Sequence, residues 1–448
     1  MKKTYYKKDS ELLDIEYDTI YGLITKCINE IRKKRPITHN YKALVRYYPE
    51  KGKTKHMTVG FIENKYTLNK LVSYIYHSDF IKKYYYKKTV DEFVTELLIK
   101  YVYNKNLTKD QIAEKIIQHF EKIHIWKIIF PLENIKLEIP FLKLGNHKIV
   151  TFNKYQKTKW TELINNYYKT SQFSKKQNIA IDMFNRVFNE ILKDKICTII
   201  QVKSGDFKSA MNEATKEFQV FLSCLKYLSY TWYSDYNKHR IFIPGQNYCK
   251  IAGFIGFSES SGLASRLENK KPFPFVLNKI INNRMHEFAL KKISDILKID
   301  DNDRTSFQKN ILTSIKIYGD AISDFDQSQA FIKFVTLLEF LLIDGRELKS
   351  HNLAERLSFL MERDYNQRKL YYKHIRSLYQ LRNDIVHTAK SDITKKELKS
   401  LHIVVYNLLL LLINIHQKFE SKKDFIDKLN EVKYGRTYTF QKKQIYIS

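Results

Sequence analysis

Glycine and proline are scarce in these 448 residues, at 12 and 7. Turns draw heavily on both, so the shortage works against a loop-rich all-β chain and favours helix. Cysteine is scarcer still. Cys27, Cys197, Cys224 and Cys249 lie far apart, with no Cys-x-x-Cys pair and no histidine at zinc-finger spacing. They read as reduced, mostly buried thiols, so neither a disulfide framework nor a structural zinc site is expected. Long apolar runs are missing too. The longest, Leu408 to Ile413, falls well short of the roughly 20 residues of a membrane span. Met1-Lys2-Lys3-Thr4-Tyr5-Tyr6 is basic, but no apolar stretch follows it, so no secretory leader is expected. The expectation is a cytoplasmic protein with no membrane contact.

Acidic residues are in short supply: 48 Asp and Glu face 78 Lys and Arg, a net charge of +30. Such a field draws in polyanions and suits a nucleic-acid partner. The chain is also rich in isoleucine, asparagine and tyrosine, with 32 of the last. AT-rich coding sequences share that bias, which is a second source of lysine. With 44% hydrophobic residues, the chain is globular and long enough for two or three domains.

Residues 1–120 read as a basic helical region. Apolar residues recur at helical spacing through Glu11 to Ile31, through Thr89 to Tyr101 and from Thr108 to about Phe120. Basic loops join them, including Arg32-Lys33-Lys34-Arg35 and Lys82-Lys83-Tyr84-Tyr85-Tyr86-Lys87-Lys88. Residues 121–270 read as a mixed α/β domain. Strands are expected at Ile123 to Phe130, Ile135 to Ile139, Ile149 to Phe152 and Cys197 to Val202, with a turn at Gly145-Asn146. Helices are expected near Ile179 to Leu192 and Ser209 to Leu228, and short strands at His239 to Ile243 and Ile251 to Phe257.

The paired prolines of Asn269 to Pro274 mark a domain boundary. From 275 to 430 the pattern is helical throughout, and 431–448 forms a basic tail. Phe331 to Leu342 has one apolar face, with Gly345 placed to cap it. Leu370 to His387 is a longer helix. Thr394-Lys395-Lys396-Glu397 is a capping box opening a last helix to about Phe419. That helix is apolar on almost all sides, so it must be covered all round, and it is a candidate dimer seam.

The chemistry concentrates in Arg382-Asn383-Asp384-Ile385-Val386-His387. Asn383 and His387, four apart, share a helix face, and Arg382 is about 100° round from Asn383. An imidazole, an amide and a guanidinium so placed suit attack of a ribose 2′-hydroxyl on its own phosphate. His387 would move protons near neutral pH, Asn383 would orient the phosphate, and Arg382 would hold its oxygens against the growing charge. No metal or cofactor is needed, because the nucleophile belongs to the RNA. One chain offers one such histidine, whereas the reaction uses a base and an acid. A homodimer with its cleft at the two-fold axis is therefore expected.

Residues 275–430 resemble a HEPN domain, whose signature is Arg, usually followed by Asn, then His at a helix end. The text around it is similar to the Apea-like branch: Phe331 to Glu339, Leu353-Ala354-Glu355-Arg356-Leu357, and Ile375 to Tyr379 leading into Arg382. The resemblance implies a dimerising helical bundle, an endoribonuclease leaving a cyclic phosphate, and duty in bacterial anti-phage or toxin systems. Residues 1–270 would then sense a phage-derived or nucleic-acid trigger. The alternatives are a non-catalytic RNA- or protein-binding dimerisation scaffold and a DNA-directed regulator.

Other residues carry two readings each. Glu339 could orient Arg382 or form an ordinary surface ion pair. Tyr379 could stack a base or pack in the core. His374 and His402 could stand near the site or be satisfied within the bundle. Lys82, Lys83, Tyr85, Lys87 and Lys88 combine cations with stacking rings as single strands require, and Arg32 and Arg35 add charge. A solvated helix face explains both groups as well. Asp300-Asp301-Asn302-Asp303 lacks the Gly and terminal Glu of a calcium loop and reads as a loop before a helix.

Overall fold

The computed structural model describes residues 15–32, 42–50, 53–62, 65–103, 107–170, 177–229, 253–258, 262–267, 275–282, 284–324, 326–345, 347–388 and 393–434. The fold is mainly α, with a smaller mixed α/β part. The chain divides into two compact units, one of residues 1–128 and 201–216 and the other of 129–200 and 217–448.

The first unit begins with α1 (Tyr17–Asn29), β1 (Ile31–Arg32), β2 (Lys42–Glu50) and β3 (Lys53–Ile62). It continues through α2 (Lys65–His77), α3 (Asp79–Tyr84), α4 (Lys87–Tyr103) and α5 (Lys109–Phe120). Ile20, Leu23, Ile24 and Cys27 follow helical spacing and are the buried face of α1. They join a core with Leu68, Leu71, Ile75, Val94, Leu98, Ile116 and Phe120. Thr108 and Gln111 close a capping box at the start of α5. The helical expectation for 1–120 needs correction, because β1, β3 and β2 form an antiparallel sheet in that order. Lys53–Ile62 carries strand-forming residues at Thr54, Thr58, Val59, Phe61 and Ile62, but Lys53, Lys55 and His56 give its first half the look of a basic loop.

Then come β4 (His124–Leu132), β5 (Ile135–Lys136), β6 (Leu142–Leu144), β7 (His147–Thr151), α6 (Lys154–Thr170) and α7 (Gln177–Val187). A π-helical turn at Phe188–Leu192 extends α7. Next are β8 (Ile196–Ser204), α8 (Phe207–Leu228), β9 (Gly253–Ser258) and β10 (Gly262–Leu267). The division between the units falls within β4, β8 and α8. A four-stranded sheet has the order β4-β8-β7-β6. The expected strand at His239 to Ile243 lies outside the described residues.

The second unit is completed by β11 (Phe275–Val276), α9 (Asn278–Ile281), α10 (Arg284–Lys298), α11 (Ser306–Ile322) and α12 (Gln327–Leu342). After these come α13 (Lys349–Met361), α14 (Tyr365–Thr388), α15 (Lys395–Ile415) and α16 (Lys422–Lys433). The prolines at 272 and 274 lie outside the described residues, but they do not separate two bodies. β11 pairs in parallel with β5, and 129–200 belongs to the same unit as the helices. The division thus differs from the expected 121–270 and 275–430. Gly145 shows how closely the two parts pack. Its φ is +63°, its N–H donates to Ser294 Oγ at 2.6 Å, and a Cβ there would lie 2.5 Å from Leu297 Cβ.

Helix α15 is the centre of this unit. It is sheathed by α10, α11 and α12 of its own chain, with Leu401, Val405, Tyr406, Leu408, Leu409 and Leu412 buried. The expectation that it forms a dimer seam is therefore corrected, because its apolar surface is already covered. It is also the one helix among the described residues long and apolar enough to cross a membrane, and 72% of that stretch is buried. The interior holds a polar cluster as well. His147 Nε2 lies 3.5 Å from Glu217, whose other oxygen lies 4.0 Å from Arg304 Nη1. Burial alone would raise the Glu217 carboxyl, but the His147 hydrogen bond and the Arg304 charge outweigh it and hold the group low.

Candidate functional site

Asp364 starts α14. Its Oδ1 accepts from the N–H groups of Asn366 (2.9 Å) and Gln367 (3.0 Å), two of the donors a helix leaves orphaned at its N-terminus. From there the helix runs unbroken to Thr388. Ile375, Leu378, Tyr379, Leu381 and Ile385 are buried and fix which face turns outward. The rotation this imposes leaves His387 exposed in the last turn, with Arg382 and Asn383 half-buried.

Arg382 and Asn383 are directly joined. The guanidinium Nη1 donates to Asn383 Oδ1 at 3.2 Å, and its carbon stands 5.9 Å from the centre of the Tyr379 ring. Arg382 Nε is buried with no hydrogen-bond partner. The Tyr379 hydroxyl donates to Glu339 Oε1 at 2.7 Å, while Lys349 takes Glu339 Oε2 at 3.1 Å. Tyr379 is thus a core residue with its hydroxyl spoken for, not a ring free to stack a base. Glu339 reaches Arg382 only through that ring, and its ion pair is with Lys349.

His402 is buried, receives or gives a 2.6 Å hydrogen bond with the Tyr318 hydroxyl and stacks on Phe334. His374 is half-buried against Ser400 at 2.8 Å. Both are satisfied within the bundle. The acidic run at 300–303 is a 3₁₀ turn before α11, and Asp301 is held by Arg304 at 3.1 Å. Among the described residues no group of three His, Cys, Asp or Glu side chains could hold a metal ion.

The basic segment of the first unit divides. Lys82, Lys83, Lys87 and Lys88 are exposed, and Lys82 and Lys88 have Asp79 and Glu92 at 3.5 and 3.6 Å. Tyr85 is 2% exposed, and its hydroxyl donates to the carbonyls of His119 (2.8 Å) and Lys122 (2.6 Å). Its assignment to strand stacking is corrected, since helix α3 ends at Tyr84 and turns the next ring inward. Arg32 is in β1, with its side chain outside the described residues, as is Arg35 altogether.

Lys369, Lys373 and Arg376 also lie on α14, outside the Arg382 to His387 motif. All three are exposed, and none has an ion-pair partner among the described residues. Their spacing of four and three, with no carboxylate one turn away, is the signal that marks them. No family model, curated protein or solved structure matches this chain.

Proposed function

We propose that the second unit is a HEPN-type, metal-independent RNA endonuclease that works as a homodimer, with Arg382, Asn383 and His387 at its centre. The observation that carries this reading is the end of α14, where an exposed imidazole follows a guanidinium–amide pair on a chain of net charge +30. In the reaction, a ribose 2′-oxygen bonds to the adjacent phosphorus and the bond to the 5′-oxygen breaks. One imidazole accepts the 2′-hydroxyl proton and the other gives a proton to the departing 5′-oxygen. His387 supplies one, and His387 of a second copy supplies the other. Arg382 neutralises charge on the non-bridging oxygens, and Asn383 holds the guanidinium in place. The two copies would meet at the exposed end of α14, where Val386 is 47% exposed beside His387.

A second reading, a dimerisation scaffold that binds without cutting, is favoured by one observation: Arg382 pairs locally with Asn383. Incubation with labelled RNA and labelled DNA, with and without EDTA, separates the two. Cleavage of RNA alone, unaffected by EDTA and leaving 2′,3′-cyclic phosphate ends, is the expected result. Binding with no cleavage would support the scaffold, and loss of cleavage in EDTA would contradict the chemistry.

A further inference from the structure

Lys369, Lys373, Arg376, Gln380, Asn383 and His387 follow one another along α14 at intervals of four, three, four, three and four residues. That alternation keeps them on one stripe of the helix, about 27 Å long at about 1.5 Å per residue. All are exposed except Asn383, which is half-buried. Folding gives no reason for this arrangement. Like charges three and four residues apart repel, and Lys369 stands near the positive end of the helix dipole. Some other surface cations are compensated one turn away, as in Lys88–Glu92, Lys100–Glu96 and Arg186–Glu190. Helix α14 carries a single carboxylate, Asp384, which accepts from Gln380 at 2.8 Å.

We infer that this stripe is a phosphate track for single-stranded RNA, leading the strand along α14 to Arg382 and His387. It rests on the nuclease reading for what happens at its end, and on its own charge for binding. The strand is single because the major groove of duplex RNA is too deep and narrow to admit a helix. Between Lys369 and Asn383 the stripe carries no aromatic ring, so its grip there is electrostatic and falls steeply with salt. His374 meets Ser400 at 2.8 Å, which sets the first turns of α15 beside α14. Lys396 and Lys399, both exposed there, add a second row of charge.

The test uses the full chain and a fluorescent 2′-O-methyl RNA, which has no free 2′-hydroxyl and reports binding apart from cutting. Lys369→Gln/Lys373→Gln/Arg376→Gln is expected to weaken binding by about tenfold or more and to flatten the salt dependence by about two ions, as three lost phosphate contacts require. Lys154→Gln/Lys159→Gln/Lys193→Gln makes the same change in net charge at exposed lysines of the same unit. It is expected to stay within about threefold of the unaltered protein if the contacts are local. Equal loss in both triple variants, no loss in the first, or no binding by the unaltered protein overturns the track. Binding through the stripe by a protein that cuts no RNA would leave the track standing and remove the nuclease reading.

Discussion

The Tyr379 hydroxyl donates to Glu339 Oε1 across 2.7 Å, a bond that ties α14 to α12 one turn before the Arg382–Asn383 pair. Burial and the neighbouring carboxylate push the phenol up to about 12, against the opposing pull of Arg382. Tyr379 is therefore a neutral, fixed support for the guanidinium. Tyr379→Phe keeps the ring and loses the bond, so unfolding in urea should show a loss of about 1–2 kcal/mol. Its RNA cleavage should stay within about threefold, because nothing that touches the phosphate has moved. Cleavage lost with stability unchanged would make the hydroxyl a participant and not a support.

Arg382→Lys retains the charge but loses the planar fork that can hold Asn383 and a phosphate together. Cleavage should drop by about a hundredfold while the melting curve is nearly unchanged, since Arg382 is half-buried at the edge of the bundle. A lysine variant as active as the parent would mean that charge alone suffices there.

In the first unit, a Cβ at Gly205 would fall 1.9 Å from Cζ of Tyr85. The ring cannot retreat, because two carbonyls hold its hydroxyl. Gly205→Ala should destabilise by roughly 1–3 kcal/mol, as overpacking does. Tyr85→Phe should also destabilise, by about 1–2 kcal/mol, leaving both carbonyls one partner short. Strand binding measured on the folded fraction should be unaffected by either, and a specific loss in Tyr85→Phe would contradict the buried placement.

Burial lowers His402 from its ordinary range to about 3. The unfolded chain binds this proton near pH 6.5, whereas the folded one refuses it until far lower. Folding therefore releases a proton between those limits, and stability falls as the pH drops below about 6.5, by up to about 1.4 kcal/mol per unit from this residue. Burial lowers His374 and His416 in the same direction. Urea titrations from pH 7 to 5 should show the decline, and His402→Gln should make it shallower. An identical slope in that variant would contradict the assignment.

Much of the helical half was legible because its signals are local. The capping box at Thr394 and the apolar face of Phe331 to Leu342 are written within a few turns of chain. Helix α6 was not, although Trp160, Leu163, Ile164, Tyr167 and Tyr168 recur at helical spacing, because the rest of Lys154–Thr170 is mostly Lys, Thr and Asn, which dilutes that face. The fate of α15 was illegible for a different reason. Composition shows that an all-apolar helix needs covering, but not whether its own chain or another supplies the cover. Tyr85 sits among lysines that suggest solvent, and its burial depends on distant neighbours, Gly205 and the carbonyls of His119 and Lys122. At the candidate site the motif and its helix were readable. The Tyr379–Glu339 bond spans 40 residues and could only be guessed.

The most direct test is the initial rate of RNA cleavage in EDTA by the unaltered protein and by His387→Ala, with melting curves of both. His387 is exposed and packs nothing together, so the fold should persist. Cleavage should fall by about a thousandfold, the scale on which a lost proton-transfer group acts. Undiminished cleavage by the folded alanine variant would contradict the placement of the reaction at the end of α14.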